Sequence, residues 1–163
     1  SKAWCCPAWL PCRINNKDMK KYVKLLGILA AVGMGVFLLI QLIPYGHNHT
    51  NPPVVQEPAW DSTQTRALAQ AACFDCHSNE TVWPWYSNIA PVSWLVMNDV
   101  EEGRSNLNFS DWPLAPGEGA QFAEEIIGEV QREKMPPFQY TLIHPLSTAD
   151  RVKLIEGLRL SLK

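Results

Sequence analysis

The run Cys73-Phe74-Asp75-Cys76-His77 gathers two thiols and an imidazole into one short stretch of chain. Thiols at this spacing can each add across a vinyl group of a single haem, and the histidine that follows is placed to give the iron an axial nitrogen. The pattern therefore implies one covalently attached haem c, with Cys73 and Cys76 as attachment residues and His77 as a ligand of the iron. Two other chemistries also use Cys-x-x-Cys. A closed zinc site needs a second pair of ligands, and downstream there is no further cysteine and only His144. A thioredoxin-like dithiol belongs in a βαβ setting, which the flanking sequence does not supply.

A low-spin iron used for electron transfer takes a second axial ligand. The donors after the motif are Met97, Met135 and His144. Met97 falls within an amphipathic pattern, where methionine usually fills core space. Met135 follows a helical pattern and precedes Pro136 and Pro137, whose restricted backbone fixes a thioether at low entropic cost and stops the helix from carrying it away. Met135 is thus preferred over His144, and an open or water-bound position is the third alternative. His144, beside Pro145, also reads as a surface or propionate-bonding residue. Arg104 reads either as a partner for a haem propionate or as a solvated cation favourable to a helix dipole.

The elements that must position these groups are helical. Asp61 or Ser62 caps a helix through Ala67, Leu68, Ala71 and Ala72 that runs directly into Cys73, the arrangement of a class I cytochrome c. The stretch Ser78–Ala90 carries Trp83, Pro84, Trp85 and Tyr86 and reads as a folded loop over the haem, because Pro84 interrupts any strand ladder. Trp83 and Trp85 serve there either as haem-edge contacts or as ordinary packing. Pro91 opens a helix through Trp94, Met97 and Val100 that ends at Gly103, with Asn98, Asp99, Glu101 and Glu102 mainly on its polar face. A connector from Ser105 to Gly119 leads to a helix over Glu118–Glu133 that buries Phe122, Ile126, Ile127 and Val130. The last helix starts at the capping signal Ser147-Thr148-Ala149-Asp150 and buries Val152, Ile155, Leu158 and Leu162. The outer domain is expected to be all-α.

The 163 residues carry a net charge of −2, which suggests neither nucleic acid nor any anionic partner. The apolar content is concentrated in Leu25–Ile43, a run with no charged residue and long enough to cross a bilayer as a helix. A cleaved signal peptide would have a shorter apolar region and a small-x-small cleavage site, whereas Gln41-Leu42-Ile43-Pro44 follows here. Arg13, Lys17, Lys20, Lys21 and Lys24 put the N-terminal flank in the cytoplasm by the positive-inside bias, and no Lys or Arg occurs from Pro44 to Thr65. The C-terminal part then faces outward, the side on which c-type haem is generally attached. Of the five cysteines, Cys5, Cys6 and Cys12 fall on the reducing side, and read as reduced or lipid-modified thiols of a tail more readily than as a metal cluster. The expected organisation is a cytoplasmic tail over 1–22, a transmembrane anchor over 23–45, a Pro-rich linker over 46–58 and a haem c domain over 59–163. The linker, with Pro52, Pro53 and Pro58, is expected to be extended and to reach roughly 40 Å from the membrane. His47 and His49 within it read as a polar tract rather than a metal site.

From Trp60 to Leu162 the sequence resembles the haem-binding domain family of small single-haem c-type proteins. The resemblance lies in Cys73-Phe74-Asp75-Cys76-His77-Ser78-Asn79, Thr81-Val82-Trp83-Pro84-Trp85-Tyr86-Ser87, Ala90-Pro91-Val92-Ser93-Trp94, Glu102-Gly103-Arg104, Leu107-Asn108-Phe109-Ser110 and Met135-Pro136-Pro137. It implies covalent haem c on a membrane-tethered helical domain. The expectation is then a single-pass, membrane-anchored monohaem cytochrome that is not an enzyme, its haem domain on the periplasmic side, exchanging electrons with redox proteins. The alternatives are a haem-bearing subunit of a larger respiratory or photosynthetic complex, and a haem sensor or peroxidase-like protein.

Overall fold

The computed structural model describes residues 16–112 and 118–162, and the side chains of all of these except 118–121. Two compact units divide the chain, Ser1–Ile43 and Pro44–Lys163. The tail cysteines Cys5, Cys6 and Cys12 lie outside the described residues.

The first unit is dominated by α1 (Asn16–Ile40), which is long and apolar enough to cross a membrane. None of its residues is buried, and Leu25, Leu26, Leu29, Val32, Leu38 and Leu39 are all exposed. A helix that is apolar all round finds its favourable surroundings in lipid rather than in water. The stretch Asn16–Tyr22, expected to belong to the tail, is already helical. Its lysines and methionine are good helix formers, so nothing breaks the helix before the apolar run begins.

In the second unit the described elements are all helical. Ser62 opens α2 (Thr63–Ala72), its hydroxyl accepting from the Thr65 N–H at 3.1 Å. Cys73 ends α2 and begins the short α3 (Phe74–His77). After a 3₁₀ turn (Trp85–Asn88) come α4 (Val92–Asn106), α5 (Glu118–Gln131), the short α6 (Phe138–Thr141) and α7 (Thr148–Ser161). Ser147 caps α7 by accepting from the Asp150 N–H, as the sequence signal requires.

The core joins α2, α3, α5 and α7 around a line of rings. Phe74 and Phe109 are almost fully buried and stacked at 5.7 Å, Trp60 packs on both, and Trp112 stacks on Phe109 at 5.9 Å. Ala123, Ile127 and Val130 of α5 meet Leu154 and Leu158 of α7 and Leu162 beyond it in the same cluster. The buried stripe of α7 is therefore Leu154, Leu158 and Leu162, with Ile155 at its edge, and Val152 is exposed, contrary to the sequence expectation. Val152 stands two positions before Leu154, about 200° round the helix, so the two cannot share one buried face. Where α2 and α7 meet, Gly157 lies against Thr65, and a Cβ there would collide with the threonine side chain.

Residues 46–58 do not form the expected free linker. The Val55 and Gln56 N–H groups donate to the Ser110 carbonyl at 2.8 and 3.1 Å, and the Trp112 N–H donates to the Gln56 carbonyl at 3.0 Å. The Asn79 side chain donates to the Pro53 carbonyl, and Glu57 pairs with Arg66 at 2.6 Å. Gly46 is buried at φ 85°, where its missing Cβ lets the chain lie against the backbone of Ser93. His49 is equally engaged, its ring stacked on Trp83 at 4.5 Å and its Nε2 within 3.1 Å of the Ser87 carbonyl. Proline and polar content made the segment read as a tether; its order comes from partners far along the chain. Native-state hydrogen exchange tests this directly: the Val55, Gln56 and Trp112 amides are expected to exchange about tenfold or more slower than in an unstructured peptide. Peptide-like rates at all three would mean that the segment is detached.

Candidate functional site

Within α3, consecutive residues point in different directions, and each direction has a partner. Phe74 enters the aromatic core. Cys73, Asp75, Cys76 and His77 face a cavity of about 500 Å³. The turn itself is closed by the His77 N–H donating to the Cys73 carbonyl at 2.8 Å, and it is tied back by the Phe109 N–H donating to the His77 carbonyl at 2.8 Å.

His77 is held in one tautomer. Its Nδ1 lies 3.0 Å from the Gly103 carbonyl and 3.1 Å from the Leu107 carbonyl, so Nδ1 carries the hydrogen and Nε2 keeps its lone pair. Burial lowers the imidazole pKa, opposed in part by the two carbonyls, and the ring is neutral at neutral pH. A neutral ring with one nitrogen satisfied by backbone is the arrangement of a metal-binding histidine.

Gly103 makes this possible. It was expected to end its helix, yet α4 continues to Asn106 and Gly103 lies inside it, where a Cβ would fall on the Cys76 carbonyl. The missing side chain is what allows α4 to cross α3 closely enough for His77 to reach the helix backbone. One face of α4 then forms a cavity wall through Val92, Leu95, Val96 and Val100. Asp99 also lines this wall, so the expected separation of polar and apolar faces holds only in part. Burial, then the neighbouring Glu102, raises the Asp99 pKa. Met97 is buried on the other side of α4, as a core methionine.

The opposite wall comes from the chain after α5. Glu133 adopts the left-handed region at φ 57° and turns the backbone so that the Lys134 and Met135 N–H groups both reach the Glu129 carbonyl, at 3.0 and 3.2 Å. Met135, Pro136 and Pro137 then line the cavity, and α6 adds Tyr140, followed by Ile143 and His144. Both candidate distal donors, Met135 and His144, thus reach the cavity that holds His77. Tyr140 was not singled out in the sequence. Its hydroxyl lies 2.8 Å from Asp75 Oδ2 and 3.1 Å from the Ala71 carbonyl, and its ring stacks on His144 at 4.6 Å. Burial, then the bond to Asp75, pushes the Tyr140 pKa up, so the hydroxyl remains a donor.

The surroundings of the two thiols are equally telling. Burial pushes Cys73 up to about 12 and Cys76 up to about 11, the latter helped by Asp99 and Asp75. A dithiol redox pair needs the opposite, a thiolate stabilised below the ordinary thiol range. Among the described residues, no three His, Cys, Asp or Glu side chains cluster in an arrangement that could hold a metal ion by themselves.

A family model described as a haem-binding domain matches residues 35–159 of the chain. The chain belongs to the haem-binding domain family. No curated protein and no solved structure matches it. The cofactor of this haem-binding domain is haem, and the donor set fits it: an imidazole with a free Nε2, a largely apolar cavity of ligand size, and two thiols on its wall.

Other motif residues form the frame of the haem-binding domain. Arg104 is neither a solvated cation nor a lining residue of the cavity. Its guanidinium donates to the Ser78 carbonyl at 2.8 Å, to Asn51 at 2.8 Å and to Thr81 at 2.9 Å, tying residues 46–58 to the turn after His77. Asn79, Asn108 and Ser110 form a second lock: the Asn79 N–H donates to the Ser110 hydroxyl, and the Asn108 Nδ2 donates to the Asn79 side-chain oxygen Oδ1. In the aromatic loop, Val82, Pro84 and Tyr86 line the cavity, while Trp83 stacks on His49 and Trp85 is exposed. Neither tryptophan is a lining residue.

Two measurements follow from this geometry. Gly103→Ala is expected to cost about 1–3 kcal/mol in denaturant unfolding, the usual range for overpacking a close contact. In the haem-free chain, alkylation of Cys73 and Cys76 by iodoacetamide, followed peptide by peptide by mass spectrometry so that Cys5, Cys6 and Cys12 are counted apart, is expected to keep accelerating as the pH rises toward about 11, because only the thiolate reacts and burial holds both thiols protonated at neutral pH. A plateau near the ordinary thiol value of about 8.5 would show that the thiols are not enclosed.

Proposed function

We propose that this haem protein is a membrane-anchored monohaem c-type cytochrome that carries electrons on the outer side of the cytoplasmic membrane. The observation that carries the reading is the meeting of Cys73, Cys76, His77 and Met135 around one cavity. When bound, the haem would supply an iron that changes oxidation state by one electron. Cys73 and Cys76 would hold it through thioethers, and His77 Nε2 and Met135 Sδ would be the side-chain donors to its iron. The protein's part is to exclude water and fix the donors, so that little rearrangement accompanies each transfer. A methionine donor raises the reduction potential relative to two nitrogens.

The apolar α1 supports a membrane anchor. The lysines at positions 17, 20, 21 and 24 before its apolar run, with no Lys or Arg between Pro44 and Thr65, support a cytoplasmic N-terminus and an outward-facing haem domain. His144, on the same cavity, favours a second reading of the ligand set in which nitrogen replaces sulfur.

The test is spectroscopic. Haem colour should survive denaturing electrophoresis in the native protein and be lost when both Cys73 and Cys76 are serine. Met135→Ala should abolish the sulfur-to-iron charge-transfer band of the oxidised protein and shift its reduction potential. If band and potential both survive the substitution, Met135 is not the ligand. If His144→Ala is the change that alters them, the nitrogen reading holds.

A further inference from the structure

We infer that Tyr140 decides which distal side chain meets the iron, leaving Met135 free to serve and withholding His144. The inference rests on the proposed reading of Met135 as the distal ligand and names the residue that makes the choice.

Met135 and His144 both line the cavity, so neither is ruled out by position. What separates them is their tie to the rest of the wall. The His144 ring lies almost parallel to the Tyr140 ring, 21° apart with centroids at 4.6 Å, and the His144 N–H donates to the Tyr140 carbonyl at 2.9 Å. Tyr140 is itself anchored. Its hydroxyl donates its one hydrogen to Asp75 Oδ2 at 2.8 Å, with the Ala71 carbonyl 3.1 Å away, so α6 is fastened to the motif. Asp75 is held in turn: its Oδ1 accepts from the Val82 N–H at 3.0 Å, and its carbonyl accepts from the Thr81 hydroxyl at 2.8 Å. A histidine stacked on a fixed ring gives up that contact whenever its side chain turns away from the ring.

Met135 carries no such restraint on its side chain. The Glu133 turn and the two prolines fix its backbone, while its thioether is flexible and partly exposed to the cavity. Tyr140 therefore acts on the site through two other residues, Asp75 and His144. It is a positioning residue, with no role as a ligand.

Three variants of the holoprotein in detergent test the two ties. Tyr140→Leu removes both the hydroxyl and the stacking ring. It is expected to lose the sulfur-to-iron charge-transfer band and to show a lower reduction potential as His144 takes the iron, and Tyr140→Leu/His144→Ala is expected to regain the band. An unchanged band and potential in Tyr140→Leu, or failure of the double variant to regain the band, would overturn the choice between ligands. Tyr140→Phe keeps the stack and removes only the hydroxyl, so the band should remain. Exogenous imidazole should then bind the oxidised protein about fivefold more tightly, the effect of one lost hydrogen bond on a wall that must yield. Native imidazole affinity in Tyr140→Phe would overturn the anchoring role even if Tyr140→Leu did not fold. Absence of the band from the native protein, with covalent haem present, would instead reject Met135 as ligand and the inference with it.

Discussion

A helix of four residues, entered through Cys73, carries one wall of the site. Cys73 to His77 must hold two thiols and an imidazole toward one cavity, and so short a helix has no stability of its own. It persists because every other direction it faces is taken. Phe74 is locked among Trp60 and Phe109, the His77 carbonyl accepts from Phe109, and Asp75 fastens both the loop at Thr81 and Val82 and the hydroxyl of Tyr140. The residues between the two cysteines are therefore not spacers. One anchors the motif in the core, and the other sets the positions of two cavity walls.

The same economy governs the wall that carries His77. The His77 tautomer depends on two backbone carbonyls of the chain from α4 to Leu107, and that chain reaches His77 only because residue 103 has no side chain. A carbonyl partner cannot ionise, so it fixes the ring without adding a charge to a partly dry cavity. Arg104, the next residue, points elsewhere and bonds Ser78, Thr81 and Asn51. Gly103 and Arg104 thus belong to one device: glycine for approach, and arginine to bind the turn beyond the motif to residues 46–58.

The Cys73–His77 run and the helix caps were legible in the sequence because their geometry is local. Thiols and an imidazole close in sequence reach one cavity together, and Ser62 and Ser147 cap through amides three residues on. The all-helical architecture followed from apolar periodicity in the same way. Residues 46–58 were misread because their order is non-local, supplied by Ser110, Trp112 and Asn79 rather than by their own composition. Gly103 was misread because a helix stop and a close helix crossing both select glycine, and only the partner across the contact distinguishes them. Tyr140 gave no signal at all. It sits in a helix of one turn, too short to show periodicity, and its importance lies in a bond to Asp75, 65 positions earlier.

Met135 is held by more than the two prolines that follow it. Pro136 and Pro137 restrict the backbone on one side, and the left-handed Glu133 with its return bonds to Glu129 restricts it on the other. Local stiffness of this kind fixes the direction of a segment but not its distance from a histidine on another element. That distance requires a tie between the two walls, and the bond from Tyr140 to Asp75 supplies one. The distal wall is referred back to the motif it faces. A displacement of α6 is therefore resisted by the same short helix that positions the thiols and His77, and the two sides of the cavity are kept in register by a residue that need never touch the iron.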